Sequence, residues 1–291
     1  KDKDNNPIWK PGSLKNVKAI GWFIEEYGIA QISMNLTNIN KTPIHVVFDE
    51  VCKSAQKRGI RVTGSELIGL IPLKSMIESG KYFLKKQKRS CGISEEEIIK
   101  IAIKSMGLDE LEKFNPKEKI IEYSIKEKNQ KLCDLDLIQF AQTTASESPA
   151  PGGGSISAYI GALGGALATM VANLSSHKRG WDQKWNFFSK VAEEGQGYMN
   201  NLLELVDKDT EAFNRIINSF RLPDGNKKEK EIKKQTILDA TINAIKIPLK
   251  IMEESEKSMK IIKTMAKEGN PNSVSDAGVA ALCARSAVIG G

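Results

Sequence analysis

The sequence predicts an α+β domain followed by an all-α helical bundle, and three observations carry that reading. Over the first ninety residues, short β-rich runs such as Ala30-Gln31-Ile32-Ser33-Met34-Asn35-Leu36 alternate with a helix-like stretch. From Leu132 onward, apolar residues recur at helical spacing. Between the two lies the charged and polar stretch from Ser124 to Lys131, which places a domain boundary there.

Each element follows from local signals. Thr42 and Pro43 supply an N-cap and a proline at the first helical position, and Gly59 a stop, so Pro43 to Arg58 is expected as a helix. Ile60-Arg61-Val62-Thr63 then reads as a returning strand, and Gly64-Ser65-Glu66-Leu67 opens a connection toward the apolar Ile68 to Leu73. A strand-helix-strand unit is the simplest expectation. Ser94-Glu95-Glu96-Glu97 is a capping box, with Ile98, Ile101, Ala102 and Met106 at helical spacing behind it and Gly107 as the stop.

In the second region a first helical stretch covers Leu132 to Thr143. A long Ala/Gly-rich helix follows Ser148-Pro149-Ala150-Pro151-Gly152-Gly153-Gly154-Ser155 and runs to about Ser175. No Asp, Glu, Lys or Arg occurs between Ser148 and His177, and Gly161 and Gly165 form a small-xxx-small pair, so a membrane span has to be weighed. Gly and Ala dilute the apolarity, and a buried central helix of a bundle is the expectation instead. Met199 to Phe220 is expected as a helix with one stripe at positions 199, 202, 203, 206, 213, 216, 217 and 220. The lysine-rich run from Lys227 to Lys234 reads as a solvated helix start. Gly269-Asn270-Pro271-Asn272 is a turn before a final Ala-rich helix, whose apolar end at Val279 to Gly291 reads as cut before its natural stop, as in a piece of a longer chain.

Composition narrows the function classes. The 291 residues carry 43 Lys+Arg against 36 Asp+Glu, a net charge of +7, with 40% apolar and 27% charged residues. That balance suits a folded protein of two domains, not a disordered chain. Cys52, Cys91, Cys133 and Cys283 stand singly, which speaks for a reducing cytoplasm and against a zinc knuckle or disulfide framework. His45 and His177 are the only histidines, so no multi-histidine metal site is expected. The basic residues lack interleaved aromatics, which makes an acidic small molecule a more economical partner than nucleic acid.

Two signals could carry chemistry. Gly152, Gly153 and Gly154 lead into Ser155 at a helix start, where backbone amides and the helix dipole suit a carboxylate or phosphate; a bare flexible turn satisfies the same pattern. Neither the Walker spacing nor the dinucleotide fingerprint is present. The second signal is the pair Asp207 and Asp209. On a wheel of about 100° per residue, Asp209 falls roughly 50° from the centre of the apolar stripe and Asp207 about 110° off it. A carboxylate at the edge of a packed seam suits proton transfer, although a boundary Asp that simply reaches water fits too. Polar residues also gather at Asn173 to Arg179 and at Asn270 to Asp276, where Asp276 can simply cap the helix.

Taken together, Gly21-Trp22, Ala30 to Leu36, Val62 to Pro72, Pro116 to Tyr123, Pro151 to Ser155 and Val206-Asp207-Lys208-Asp209-Thr210-Glu211-Ala212-Phe213 resemble formimidoyltransferase-cyclodeaminase, in order and over nearly the whole chain. The resemblance implies a folate enzyme of histidine breakdown. One half would transfer a formimino group from N-formimino-L-glutamate to tetrahydrofolate. The helical half, an ammonia-lyase, would close the 5-formimino product to 5,10-methenyltetrahydrofolate and release ammonia. Residues 1–124 resemble the second transferase subdomain, 125–131 a linker and 132–291 the cyclodeaminase, with the first transferase subdomain, which carries the family's catalytic histidine, and the C-terminal stretch missing.

By the same resemblance, the family's cyclodeaminase aspartate lies in the motif from Asp207 to Phe213; the wheel favours Asp209, with Asp207 in reserve. Carboxylates of a polyglutamylated folate would suit Gly152, Gly153, Gly154 and Ser155 or Lys178 and Arg179. Asp276 would orient substrate, and Gln31, Asn35, Ser65 and Glu66 would face folate in the first domain. Tetrahydrofolate enters as co-substrate, without a metal. A homo-oligomer is implied, with bundles paired through the small residues from Ala158 to Ala168. The competing reading is a noncatalytic folate-binding or oligomerisation fragment.

Overall fold

The computed structural model describes residues 4, 12–125, 131–148 and 150–291. Most of the linker expected at 125–131, and Pro149, lie outside them. The chain divides into two compact units, Lys1–Lys86 with Glu95–Lys126, and Gln87–Ser94 with Glu127–Gly291.

The first unit opens with an antiparallel hairpin, β1 (Val17–Ile24) and β2 (Ile29–Leu36), paired in register from Val17 against Leu36 to Ile24 against Ile29. Gly28 turns it with φ of 62°, a conformation glycine adopts without steric cost. Helix α1 (Ile44–Gln56) follows, then α2 (Leu73–Lys86), α3 (Glu95–Met106) and the short α4 (Pro116–Lys119) and α5 (Ile121–Ser124). Met76 and Phe83 of α2, Ile99, Ala102, Ile103 and Met106 of α3, and Ile120 between α4 and α5 share one buried core.

Two expectations fail here. Ile60 to Thr63 forms no strand. An extended run becomes a strand only where a ladder partner meets it, and the Ile60 N–H turns back to the carbonyl of Ala55 at 3.1 Å. The nearest β pairing is a parallel bridge between Ile71 and Ile120, so the strand-helix-strand unit is replaced by hairpin, helix and coil. Thr42 does not cap α1 with its side chain: its hydroxyl donates to the carbonyl of Lys15 at 2.5 Å, and Pro43 holds the N-cap position.

The second unit is a helical bundle of α6 (Leu137–Thr144), α7 (Gly153–Ser176), α8 (Trp185–Phe220), α9 (Lys227–Glu268) and α10 (Val274–Gly290). The central helix α7 packs on α8, α9 and α10. It has the length and apolarity of a membrane span, yet 61% of its most apolar window is buried inside the protein. Small residues set the spacing: Ala158, Ala162 and Ala168 of α7 and Ala280, Ala284 and Ala287 of α10 are all buried. Gly161 faces Ser255, Ala287 and Leu202, and Gly165 faces Gly195 and Met199. These two glycines are therefore occupied within the chain, which corrects the expectation that they pair one bundle with another.

Helix α8 starts fourteen residues before the expected Met199. Gly195 and Gly197 weaken the pattern there, yet Gly195 is buried with its Cα against Thr169, so close packing overrides the poor helix propensity of glycine. The segment Gln87–Ser94 is anchored in this unit by hydrogen bonds from the Cys91 N–H to Ser189 Oγ (3.0 Å) and from Asn173 Nδ2 to the carbonyl of Gly92 (2.7 Å).

Candidate functional site

The geometry of the site follows from two antiparallel helices. Along α7 and α8 the contacts run in opposite order, Gly165 against Gly195 and Met199, Ser155 against Asp209. The first turn of α7 thus meets the Val206 to Phe213 segment of α8. Gly152 is the N-cap of α7, so Gly153, Gly154 and Ser155 form its first turn.

Asp209 enters that turn. A Cβ on Gly154 would lie 2.7 Å from Asp209 Cγ, so glycine at this position makes room for the carboxylate. Ser155, fully buried, donates its hydroxyl to Asp209 Oδ2 at 2.9 Å, and Thr210 Oγ1 lies 3.2 Å from Ser155 Oγ. The negative charge that a helix start favours is supplied from within the chain. This changes the expected use of the glycine segment: a ligand carboxylate placed in the same turn would face Asp209 and pay for like-charge repulsion.

Asp209 also lines a cavity of about 310 Å³ with Ala150, Gly152, Gly153, Ala212, Phe213, Ile216 and Ala244. One carboxylate set against a largely apolar wall is the arrangement expected where a flat organic molecule is held and a proton moved. Thr210, Ile216 and Ala244 were missed from sequence. Thr210 carried one signal, a second hydroxyl beside the acid; Ala244 carried none, because it arrives from α9.

Asp207 has a different task. Its Oδ1 accepts the N–H of Leu132 at 2.7 Å, fastening the short 3₁₀ turn Leu132–Asp134 to α8. Burial first, then the Asp207 charge, push the neighbouring Cys133 thiol up to about 11. The two aspartates, about 200° apart on the helix, serve opposite sides of α8.

The other expected site residues lie elsewhere. Lys178 and Arg179 follow the far end of α7, about 35 Å along the helix from Gly153 at 1.5 Å per residue. Lys178 Nζ donates to Asn270 Oδ1 at 3.2 Å and stands over the Trp181 ring at 4.3 Å. Asp276 is in the first turn of α10, which runs antiparallel to α7, with Gly290 beside Ser157 and Ala280 beside Gly164. It therefore belongs to the Lys178 end. A second, more open cavity of about 510 Å³ lies near that end, between Ala166, Thr169, Met170, Asn173 and His177 of one side and Gln196 and Met199 of the other. In the first unit Gln31 and Asn35 share one face of β2, with Trp22 and Lys18 opposite them. Ser65 is spent on the Met106 carbonyl at 2.6 Å, and Glu66 is exposed. Among the described residues no three His, Cys, Asp or Glu side chains gather as a metal site.

Comparison with known proteins gives two consecutive family matches, the first of which takes in the segment Gln87–Ser94 that packs in the second unit. Residues 2–126 match the family model of the formiminotransferase domain, and residues 136–291 that of formiminotransferase-cyclodeaminase. The chain is 35% identical over 283 residues to formimidoyltransferase-cyclodeaminase of Gallus gallus, covering 97% of this chain and 52% of that protein. It is 33% identical over 145 residues to methenyltetrahydrofolate cyclohydrolase of Methylorubrum extorquens, covering 50% of this chain and 70% of that one. A solved formiminotetrahydrofolate cyclodeaminase of Thermotoga maritima superimposes with a TM-score of 0.46 at 26% identity, covering 53% of this chain and 72% of that one. The chain spans about half the length of the formimidoyltransferase-cyclodeaminases it matches. With both family models matched in order and the alignment running almost end to end, the chain belongs to the formiminotransferase-cyclodeaminase family.

Proposed function

We propose that the helical unit cyclises 5-formiminotetrahydrofolate to 5,10-methenyltetrahydrofolate with release of ammonia, and that Asp209 moves the proton. The observation that carries this reading is the Asp209 carboxylate, which is held by Ser155 in the first turn of α7 and lines a cavity with an apolar wall. In the reaction, N10 bonds to the carbon of the protonated formimino group, whose C=N electron pair moves onto its nitrogen to make an amine, and N10 loses its proton. The amino nitrogen on that carbon gains a proton as its bond to carbon breaks, and ammonia leaves. The proton lost in the first step equals the one needed in the second, so one carboxylate serves both and ends as it began. Phe213, Ile216 and Ala244 offer a face on which an aromatic part of folate can lie.

Residues 132–291 are the proposed cyclodeaminase domain and residues 1–124 the proposed second part of a formimidoyltransferase. Transfer from N-formimino-L-glutamate to tetrahydrofolate is a proposal for the whole protein, since this chain matches half the length of relatives named for both activities. In the first unit Gln31, Asn35, Ser65 and Glu66 are the proposed folate-facing groups. Lys178 and Arg179 are proposed for the carboxylates of a polyglutamyl tail, with Asp276 near them. A cytoplasmic homo-oligomer is the proposed setting.

The test is direct. Purified protein given 5-formiminotetrahydrofolate should release ammonia as the absorbance of methenyltetrahydrofolate appears. Binding of the substrate without either product would support the noncatalytic reading instead.

A further inference from the structure

We propose that Ser155 and Thr210 are positioning residues for Asp209: two hydroxyls in series pin one carboxylate oxygen and leave the other to carry the proton. The proposal rests on the role given to Asp209 above and concerns how that role is enforced.

The hydrogen-bond inventory sets the direction of the series. A serine hydroxyl has one hydrogen to donate, and that of Ser155 goes to Asp209 Oδ2 at 2.9 Å. Its 3.2 Å contact with Thr210 Oγ1 is then one in which Ser155 accepts and Thr210 donates. The order is Thr210 to Ser155 to Asp209.

Both hydroxyls depart from the habit of their neighbours. Inside a helix, Ser and Thr commonly return their hydroxyl to the carbonyl four residues back. Ser157, Thr169 and Ser175 of α7 do so, to Gly153, Gly165 and Val171 at 2.6 to 2.8 Å. Thr236, Thr241 and Thr264 of α9 do the same. Ser155 sits in the first turn of α7, with no helical carbonyl behind it, and reaches across to α8. Thr210 lies in mid-helix with the carbonyl of Val206 behind it, yet faces Ser155.

The chemical consequence is an asymmetric carboxylate. Oδ2 receives a donor that is buried and held from behind, whereas Oδ1 has no hydrogen-bond partner among the described residues. When Asp209 takes the proton from N10, placing it on Oδ2 would replace a charged acceptor of the Ser155 hydroxyl with a much weaker neutral one, or turn the Ser155 hydrogen back against that of Thr210. Oδ1 carries the proton instead and gives it to the departing nitrogen. Gly154 completes the arrangement, since any side chain there would displace the carboxylate.

The test is steady-state cyclisation of 5-formiminotetrahydrofolate by this chain and its Ser155→Ala, Thr210→Val, Thr210→Ser and Ser155→Ala/Thr210→Val variants, with thermal unfolding of each. Positioning predicts that Ser155→Ala lowers kcat by about tenfold or more with KM changed less than about threefold. Thr210→Val should lose about threefold to tenfold in kcat, and Thr210→Ser should keep the parent value. Because Thr210 acts only through Ser155, the double variant should be no slower than Ser155→Ala. Equal losses in Thr210→Val and Thr210→Ser, or losses that multiply in the double variant, would overturn the proposal. Inactive parent protein would instead overturn the cyclodeaminase reading, and unfolding would then decide the series. Melting temperatures of Ser155→Ala, Asp209→Asn and their combination should show coupling, the double losing no more than the larger single; strictly additive losses would sink it.

Discussion

Gly154 faces the carboxylate of Asp209 across fifty-five positions of sequence, with room for a hydrogen atom between them and none for a methyl group. The relationship turns a glycine that looks like part of a ligand cradle into the space an acid needs. Gly154→Ala should therefore cost about 1–3 kcal/mol of stability by overpacking and abolish most cyclisation. Chemical denaturation beside the turnover assay checks both. Removing the carboxylate as well, in Gly154→Ala/Asp209→Ala, should return much of the stability and none of the turnover. A double variant no more stable than Gly154→Ala would mean that the strain lies elsewhere.

Asp207 is separable from this site. Its bond to the Leu132 N–H is one between a charged acceptor and a backbone donor. Asp207→Asn should cost about 1–2 kcal/mol in unfolding experiments and leave kcat within about threefold of the parent. It should also lower the pKa of the Cys133 thiol, which that charge helps to raise. The rate of alkylation at Cys133 against pH reads the change.

In the first unit, Asp49 accepts hydrogen bonds from Tyr82 (2.5 Å) and Lys86 (2.7 Å). Burial pushes its carboxyl up, but the hydrogen bonds from Lys86 and Tyr82 outweigh burial and hold it below the usual range. A carboxyl depressed in the folded state contributes stability above its unfolded value of about 4. That contribution is lost as pH falls through the lower folded value. Asp49→Asn should thus lower stability by about 1–3 kcal/mol at neutral pH. Its denaturation midpoint should draw level with the parent as the pH falls below about 4. A deficit that stays constant down to pH 2 would show that the charge is not what is lost.

Gly92 tests how the segment Gln87–Ser94 is held. A Cβ there would overlap the backbone of Ala192 in α8, leaving 2.7 Å even to the next amide nitrogen. Backbone cannot rotate away, so Gly92→Ala should lower the melting temperature by several degrees, about 1–3 kcal/mol. Gly153→Ala, which meets open space, is the matched control and should change stability little.

Particular residues show where sequence was enough and where it was not. The 3.6-residue period of α8 carries the direction of each side chain, so the opposite headings of Asp207 and Asp209 could be read from a wheel. Likewise, Gly107 and Gly59, both with positive φ, mark stops that local chemistry dictates. What the wheel cannot state is what stands opposite. The occupant of the glycine-rich turn comes from Asp209, Ala244 comes from another helix, and the hydroxyl of Thr42 goes to Lys15 rather than to its own helix. Gly161 and Gly165 show the same limit: small residues announce close packing without naming the partner, which here lies in the same chain. The run from Ile60 to Thr63 has strand composition but no ladder to join.

The most direct measurement is the ratio of cyclisation rates in the Asp209→Asn and Asp207→Asn variants, each at saturating 5-formiminotetrahydrofolate. An amide at position 209 keeps the shape of the carboxylate and removes its capacity to take a proton, so turnover should fall by about 10²–10⁴-fold, whereas the amide at 207 should remain near the parent rate. Turnover that persists in Asp209→Asn and disappears in Asp207→Asn would contradict the account and assign the proton to the other acid.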